Sequence, residues 1–83
     1  MDSSIIHIYG ENWCGDCRRA KALLEARDVP FRWHDTSKDS EARDFVSRAR
    51  PGDERIPLVV FPDGSILVEP TNAELLAKLG PTA

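Results

Sequence analysis

With 83 residues, 41% hydrophobic and 30% charged, the chain is long enough for one domain over 1–83 that folds without a staple, and too short for two. This balance excludes a disordered chain, and a net charge of −3, scattered along the sequence, argues against nucleic-acid binding. No apolar run approaches the ~20 residues of a membrane span, and Met1 to Ser4 carry no basic stretch leading into an apolar one, so no membrane partner and a cytoplasmic location are expected.

Ile5-Ile6-His7-Ile8-Tyr9 is β-branched and aromatic and too short for a helix, which predicts a buried strand, with Gly10 to Asn12 as a loop. From Gly15 to about Arg27 a helix would gather Cys17, Ala20, Leu23, Leu24 and Arg27 on one side, leaving Arg18, Arg19 and Glu25 as a solvated face. Phe31 to Asp35 alternates as a strand. Thr36 or Ser37 is the expected cap of a second helix, whose stripe is Ala42, Phe45, Val46 and Ala49. Arg50 to Glu54 is a loop by its proline, glycine and charge. Pro57 to Phe61 is a second apolar strand, and Pro62-Asp63-Gly64 turns it into a shorter one from Ser65 to Val68. Thr71-Asn72-Ala73-Glu74 has capping-box spacing and opens a last helix that Gly80-Pro81 stops. The order βαβαββα predicts a mixed four-stranded sheet with helices on both faces, its first two strands parallel.

Trp13-Cys14-Gly15-Asp16-Cys17 stands at the first strand-to-helix junction and holds both cysteines of the chain. In a reducing compartment such a pair points to catalysis or metal binding rather than to a structural bridge. A loop this short is also a weak staple, worth about 2 kcal/mol. The reactive form of cysteine is the thiolate, only about 3% populated at neutral pH at an unperturbed pKa of ~8.5. Unpaired N–H groups and the dipole at a helix start favour it, by roughly one pKa unit. Cys14 occupies that place, so it is the expected attacking thiol, with a moderately lowered pKa because Asp16 opposes ionisation and Arg18, Arg19 and Lys21 offset it. Cys17, one turn further in, faces the protein and titrates higher, as the resolving thiol. Zinc would need further ligands, and only His7 and His34 are available, both within predicted strands. Trp13 is expected at the surface, as an apolar platform for partners.

From Ile5 to Leu79, the order of elements, the Trp13 to Cys17 motif, Ile56-Pro57 before an apolar strand, and Asp63-Gly64-Ser65 leading to Pro70-Thr71 resemble the glutaredoxin branch of the thioredoxin fold. The resemblance is in particular to the short mycoredoxin-like proteins of actinobacteria and related bacteria. It implies an α/β thioredoxin-like fold, Cys14 as nucleophile and Cys17 as resolver. It also implies a cis Pro57 that turns the Ile56 backbone toward Cys14, and thiol contacts at Thr71 and Asn72. Two departures bear on the thiol. Glu11 stands where glutathione-using members often carry lysine, and Glu69-Pro70-Thr71-Asn72 replaces the paired glycines and acidic residue of the usual glutathione motif. Both count against glutathione and favour a less anionic thiol such as mycothiol, which lacks carboxylates, with bacillithiol, which carries them, as the alternative.

The expected activity is reduction of mixed disulfides between proteins and a low-molecular-weight thiol by a monomer with no bound cofactor or metal. Its partners would be S-thiolated or disulfide-containing proteins, the small thiol as cosubstrate and a flavoprotein disulfide reductase. Two alternatives are an electron donor to ribonucleotide reductase, recharged by thioredoxin reductase, and a non-catalytic iron–sulfur or zinc carrier.

Overall fold

The computed structural model describes residues 4–80. Its elements run β1 (Ile6–Gly10), α1 (Gly15–Ala26), β2 (Phe31–Asp35), α2 (Ser40–Ala49), β3 (Leu58–Val60), β4 (Ile66–Val68) and α3 (Asn72–Leu79). They form one four-stranded sheet in the order β2-β1-β3-β4. β1 pairs parallel with β2, Ile8 opposite Trp33, and antiparallel with β3, Ile8 opposite Val59; β3 and β4 close an antiparallel pair. This is the α/β thioredoxin-like arrangement expected from the order of elements.

Alternation along β1 divides the core into two layers. Ile6 and Ile8 face a cluster with Ala20, Leu24, Val59, Phe61 and Leu75, so α1 and α3 cover that side. Tyr9 points the other way and packs with Ala42, Val46 and Leu58 beneath α2. All five residues of β1 are buried, as a central strand covered on both faces must be.

The structure moves one predicted cap. Asp39, not Thr36 or Ser37, caps α2, its side chain accepting from the N–H groups of Glu41 and Ala42. Thr36 is committed elsewhere: its N–H and hydroxyl both donate to the Gly10 carbonyl, at 2.9 and 3.3 Å. Ser37 closes a turn on the Asp35 carboxylate. β3 is shorter than predicted because the Phe61 N–H turns to Ser65 O at 2.9 Å, already part of the hairpin loop. The capping box on α3 is present in both directions between Thr71 and Glu74, and Gly80 at φ 78° ends the helix. Pro81, assigned a share in that stop, lies outside the described residues.

Candidate active site

β1 delivers the chain to the cysteines and α1 starts immediately after the first of them. Cys14 is the N-cap residue of α1. Its N–H donates to Glu11 O at 3.1 Å, and its Sγ accepts the Cys17 N–H at 3.2 Å. A sulfur that takes a backbone donor at a helix start is in the position a thiolate uses. Cys17 faces the protein and is fully buried. Burial first, and then the Cys14 sulfur beside it, push the Cys17 thiol up to about 12, against a smaller opposing pull from its backbone contact and Lys21. Both thiols are unbridged.

Cys14 opens into a cavity of about 470 Å³ lined by Trp13, Gly15, Asp16, Glu54, Arg55, Ile56 and Glu69. Trp13, 71% exposed, stands at its edge and donates its indole N–H to the Glu11 carboxylate at 2.8 Å. The Ile56–Pro57 peptide bond is cis, as the resemblance implies, and Pro57 is fully buried behind Ile56. The charges in the lining are unequal. Asp16, Glu54 and Glu69 supply three carboxylates, whereas the one guanidinium, Arg55, is already held by Asp53 through two bonds of 2.9 and 2.7 Å. That fork and the Arg55 N–H hold the Asp53 carboxyl well below the usual range.

Of the residues singled out in the sequence, the cavity brings together Trp13, Cys14 and Ile56, with Cys17 and Pro57 directly behind. Thr71 and Asn72 do not line it. They begin α3 with their side chains engaged: Thr71 in the capping box, Asn72 accepting from Arg19 at 2.7 Å. The Thr71 N–H is itself taken by Glu74 at 2.8 Å, which sets a carboxylate at the helix start where the resemblance implies contacts with the thiol. Arg19, read from sequence as a solvated-face residue, is instead the link between α1 and this segment.

Sequence reading also missed Glu54, Arg55 and Glu69 as lining residues. Glu69 adopts φ 47°, and its N–H bonds Pro57 O at 2.9 Å, which is what brings it to the site. The replacement of a glycine-bearing motif by Glu69-Pro70 was the available signal, since a left-handed backbone ordinarily calls for glycine. The two histidines lie on the far face of the sheet and contact each other, His7 Nδ1 to His34 Nε2 at 2.8 Å. No three potential ligands converge as a metal site among the described residues, nor is any helix there long and apolar enough to cross a membrane.

The glutaredoxin family model matches residues 6–66. The chain is 35% identical over 79 residues to "Putative glutaredoxin Rv3198A" of Mycobacterium tuberculosis, covering 95% of this chain and 94% of that one. It is 30% identical over 76 residues to "Mycoredoxin 1" of Corynebacterium glutamicum, covering 92% and 94%. Among solved structures, the thioredoxin-like protein BC3987 superposes with a TM-score of 0.74 at 27% identity over 89% of this chain and 97% of that one. A glutaredoxin from Archaeoglobus fulgidus shares the fold, with a TM-score of 0.72 at 21% identity over 87% and 82%. With its cysteine pair at the start of α1, a family model over most of its length and relatives matched nearly end to end, the chain belongs to the glutaredoxin family of thiol–disulfide oxidoreductases.

Proposed function

We propose that this protein reduces mixed disulfides between proteins and a low-molecular-weight thiol of little or no negative charge, mycothiol in preference to bacillithiol or glutathione. It acts as one domain over 1–83, as a cytoplasmic monomer, with Cys14 as nucleophile and Cys17 as resolving thiol. The observation that carries the choice of thiol is the charge around Cys14: of three lining carboxylates only Asp16 is ion-paired among the described residues, to Arg19, and the one lining guanidinium is committed to Asp53. A ligand bearing carboxylates would enter against like charge, with Glu11 at the rim beside Trp13 and Glu74 on the start of α3. A second cavity, about 490 Å³, adjoins the first and shares Glu54 and Ile56 with it. Its lining includes the Ser47 hydroxyl, Arg43 and Glu11, a mixed donor and acceptor set that suits a hydroxyl-rich group, while the Thr36 and Ser37 hydroxyls there already donate to Gly10 O and the Asp35 carboxylate.

The Cys14 thiolate attacks the small-thiol sulfur of the mixed disulfide, a new S–S bond forms, and the protein leaves as its thiolate. A second molecule of small thiol, as its thiolate, then attacks the Cys14 adduct, which yields the small-thiol disulfide and regenerates Cys14. Alternatively, Cys17 displaces the small thiol and closes the Cys14–Cys17 disulfide, which a flavoprotein reductase or two further small thiols reduce. The part of the upward push on Cys17 that comes from the neighbouring Cys14 sulfur is lost once that sulfur is in a neutral disulfide, while the larger part, from burial, stays. Trp13 and Ile56 form the contact surface for the disulfide, with Pro57 buried behind Ile56; Thr71 and Asn72, outside the cavity, would meet only a part of the small thiol that extends to the start of α3.

The test is mass spectrometry of Cys17→Ser after separate incubations with mycothiol, bacillithiol and glutathione disulfides. Rapid labelling of Cys14 by mycothiol is the expected result. Equal labelling by all three would overturn the charge argument. Slow labelling by all three, with direct reduction of the wild-type disulfide by a thioredoxin reductase, would favour the electron-donor reading.

A further inference from the structure

Arg19 lies two residues beyond Cys17 on α1, and only 33% of its side chain is exposed. Its guanidinium reaches three places at once. One Nη2–H donates to Asp16 Oδ1 at 3.2 Å, another to Pro70 O at 3.0 Å, and Nη1–H to Asn72 Oδ1 at 2.7 Å. Two of these partners relate to the Cys14 cavity: Asp16 lines it, and Pro70 follows Glu69, which lines it too. A planar fork with several fixed donors is the side chain suited to such a bridge, and a lysine, with one point of charge, could hold only part of it.

We propose that Arg19 is a positioning residue for the thiol–disulfide reaction: it offsets the Asp16 charge beside Cys14 and ties the Pro70–Asn72 segment, which follows the lining residue Glu69, to the redox helix. Asp16 is two residues from the nucleophile, and its side chain is 58% exposed. Without its partner, the carboxylate would oppose an attacking anion and the negative charge that spreads along the three sulfurs of the transition state. With Arg19 Nη2 bonded to its Oδ1, that opposition is weakened and the carboxylate is held to the Arg19 side. Arg19 itself reaches no reacting atom, so its influence passes through Asp16 and the Pro70–Asn72 segment. The inference rests on Cys14 being the attacking thiol.

The experiment uses the full chain in a Cys17→Ser background, in which Cys14 is the single thiol. Alkylation of Cys14 by iodoacetamide is followed from pH 5 to 9 in the parent, in Arg19→Met, Arg19→Gln and Arg19→Lys, and in each combined with Asp16→Asn. Thermal unfolding is recorded alongside. The expected result is a loss of about two- to fivefold in rate at neutral pH for the Met and Gln variants, the scale of one exposed charge pair. Their pH–rate profiles should move to higher pH, and Arg19→Lys should recover about half of the loss, as it keeps the charge and loses the fork. In the Asp16→Asn background, the same Arg19 substitutions should change the rate by less than about 1.5-fold, because additivity fails where one residue acts through another. A parent-like rate in Arg19→Met and Arg19→Gln overturns the proposal, as does an equal loss with and without Asp16. A parent Cys14 no faster than an ordinary free thiol overturns instead the reading of Cys14 as nucleophile.

Discussion

A Cβ on Gly10 would overlap the Sγ of Cys17 and press on the Trp33 ring. The last residue of β1 is therefore the floor on which the resolving thiol rests, and its lack of a side chain is a steric requirement of the redox helix rather than a feature of a loop. The Gly10 carbonyl is fixed from the other side by the N–H and hydroxyl of Thr36, so this floor cannot move without disturbing the end of β2.

Gly10→Ala is accordingly expected to destabilise the protein by about 1–3 kcal/mol, the usual range for overpacking. Either Cys17 is pushed toward Cys14 or the start of α1 lifts from the sheet. Urea unfolding measures the first effect, and the reduction potential of the Cys14–Cys17 pair measures the second. A variant with unchanged stability and potential would contradict the packing described here.

Cys14→Ser should lower reduction of small mixed disulfides by on the order of 10³-fold or more, since no other sulfur lies at the mouth of the cavity to form the covalent intermediate. Cys17→Ser should keep activity within a few-fold on the same substrates when the small thiol is in excess, because the adduct on Cys14 can leave by attack of that thiol. Steady-state assays of both variants decide the roles. Full activity in Cys14→Ser would exchange them, and loss of all activity in Cys17→Ser would require the two-thiol exit.

The contrast between Asp39 and Arg19 explains which parts of this molecule could be read from sequence. β2 and the stripe of α2 follow from periodicity and side-chain type, properties of neighbours along the chain, and the cysteine pair announces itself by its spacing. The cap on α2 was misplaced because Thr36, a good capping residue in isolation, is bound to Gly10 across the sheet. Arg19 lies on the polar side of an amphipathic helix and reads as solvated; two of its three partners, Pro70 and Asn72, are more than fifty residues away in the chain. Such contacts depend on where α3 docks, which no local pattern encodes. Glu69 is brought to the site by the β3–β4 pairing that its bond to Pro57 O continues, a register that the hairpin implies but its own side chain does not announce.

Glu69→Gly should have two separable effects. Glu69 holds a left-handed backbone at φ 47°, which costs a residue with a Cβ about 1 kcal/mol relative to glycine. Part of that is returned to the unfolded chain as added freedom, so a gain of less than about 1 kcal/mol in unfolding free energy is expected. The same change removes one of three carboxylates from the Cys14 cavity. Reaction with an anionic thiol such as glutathione should then rise about two- to fivefold at low salt, and the gain should shrink as salt is added. An equal gain with a neutral thiol would show that access, not charge, had changed.

The far face of the sheet supplies a prediction about pH. His34 stacks between His7 and Tyr9, with ring centroids 5.1 and 4.4 Å away, and Tyr9 stacks in turn on Phe45 at 4.6 Å. Burial first, then the charges of His7 and Arg32, lower the His34 pKa, against an opposing pull from Asp39. A histidine whose pKa is lower in the folded state takes up its proton more readily when unfolded. Its neutral form therefore leaves stability intact above the unfolded value of about 6.5, and stability falls as pH drops through that value until the folded histidine also protonates. The melting temperature should decline between pH 7.5 and 5.5, a window well above that of the lowered carboxylates Asp53 and Asp63. His34→Phe keeps an aromatic ring in the stack and removes the titrating group, so its melting temperature should be flatter across the same window. If wild type and His34→Phe decline in parallel, the acid sensitivity of this face resides in another group.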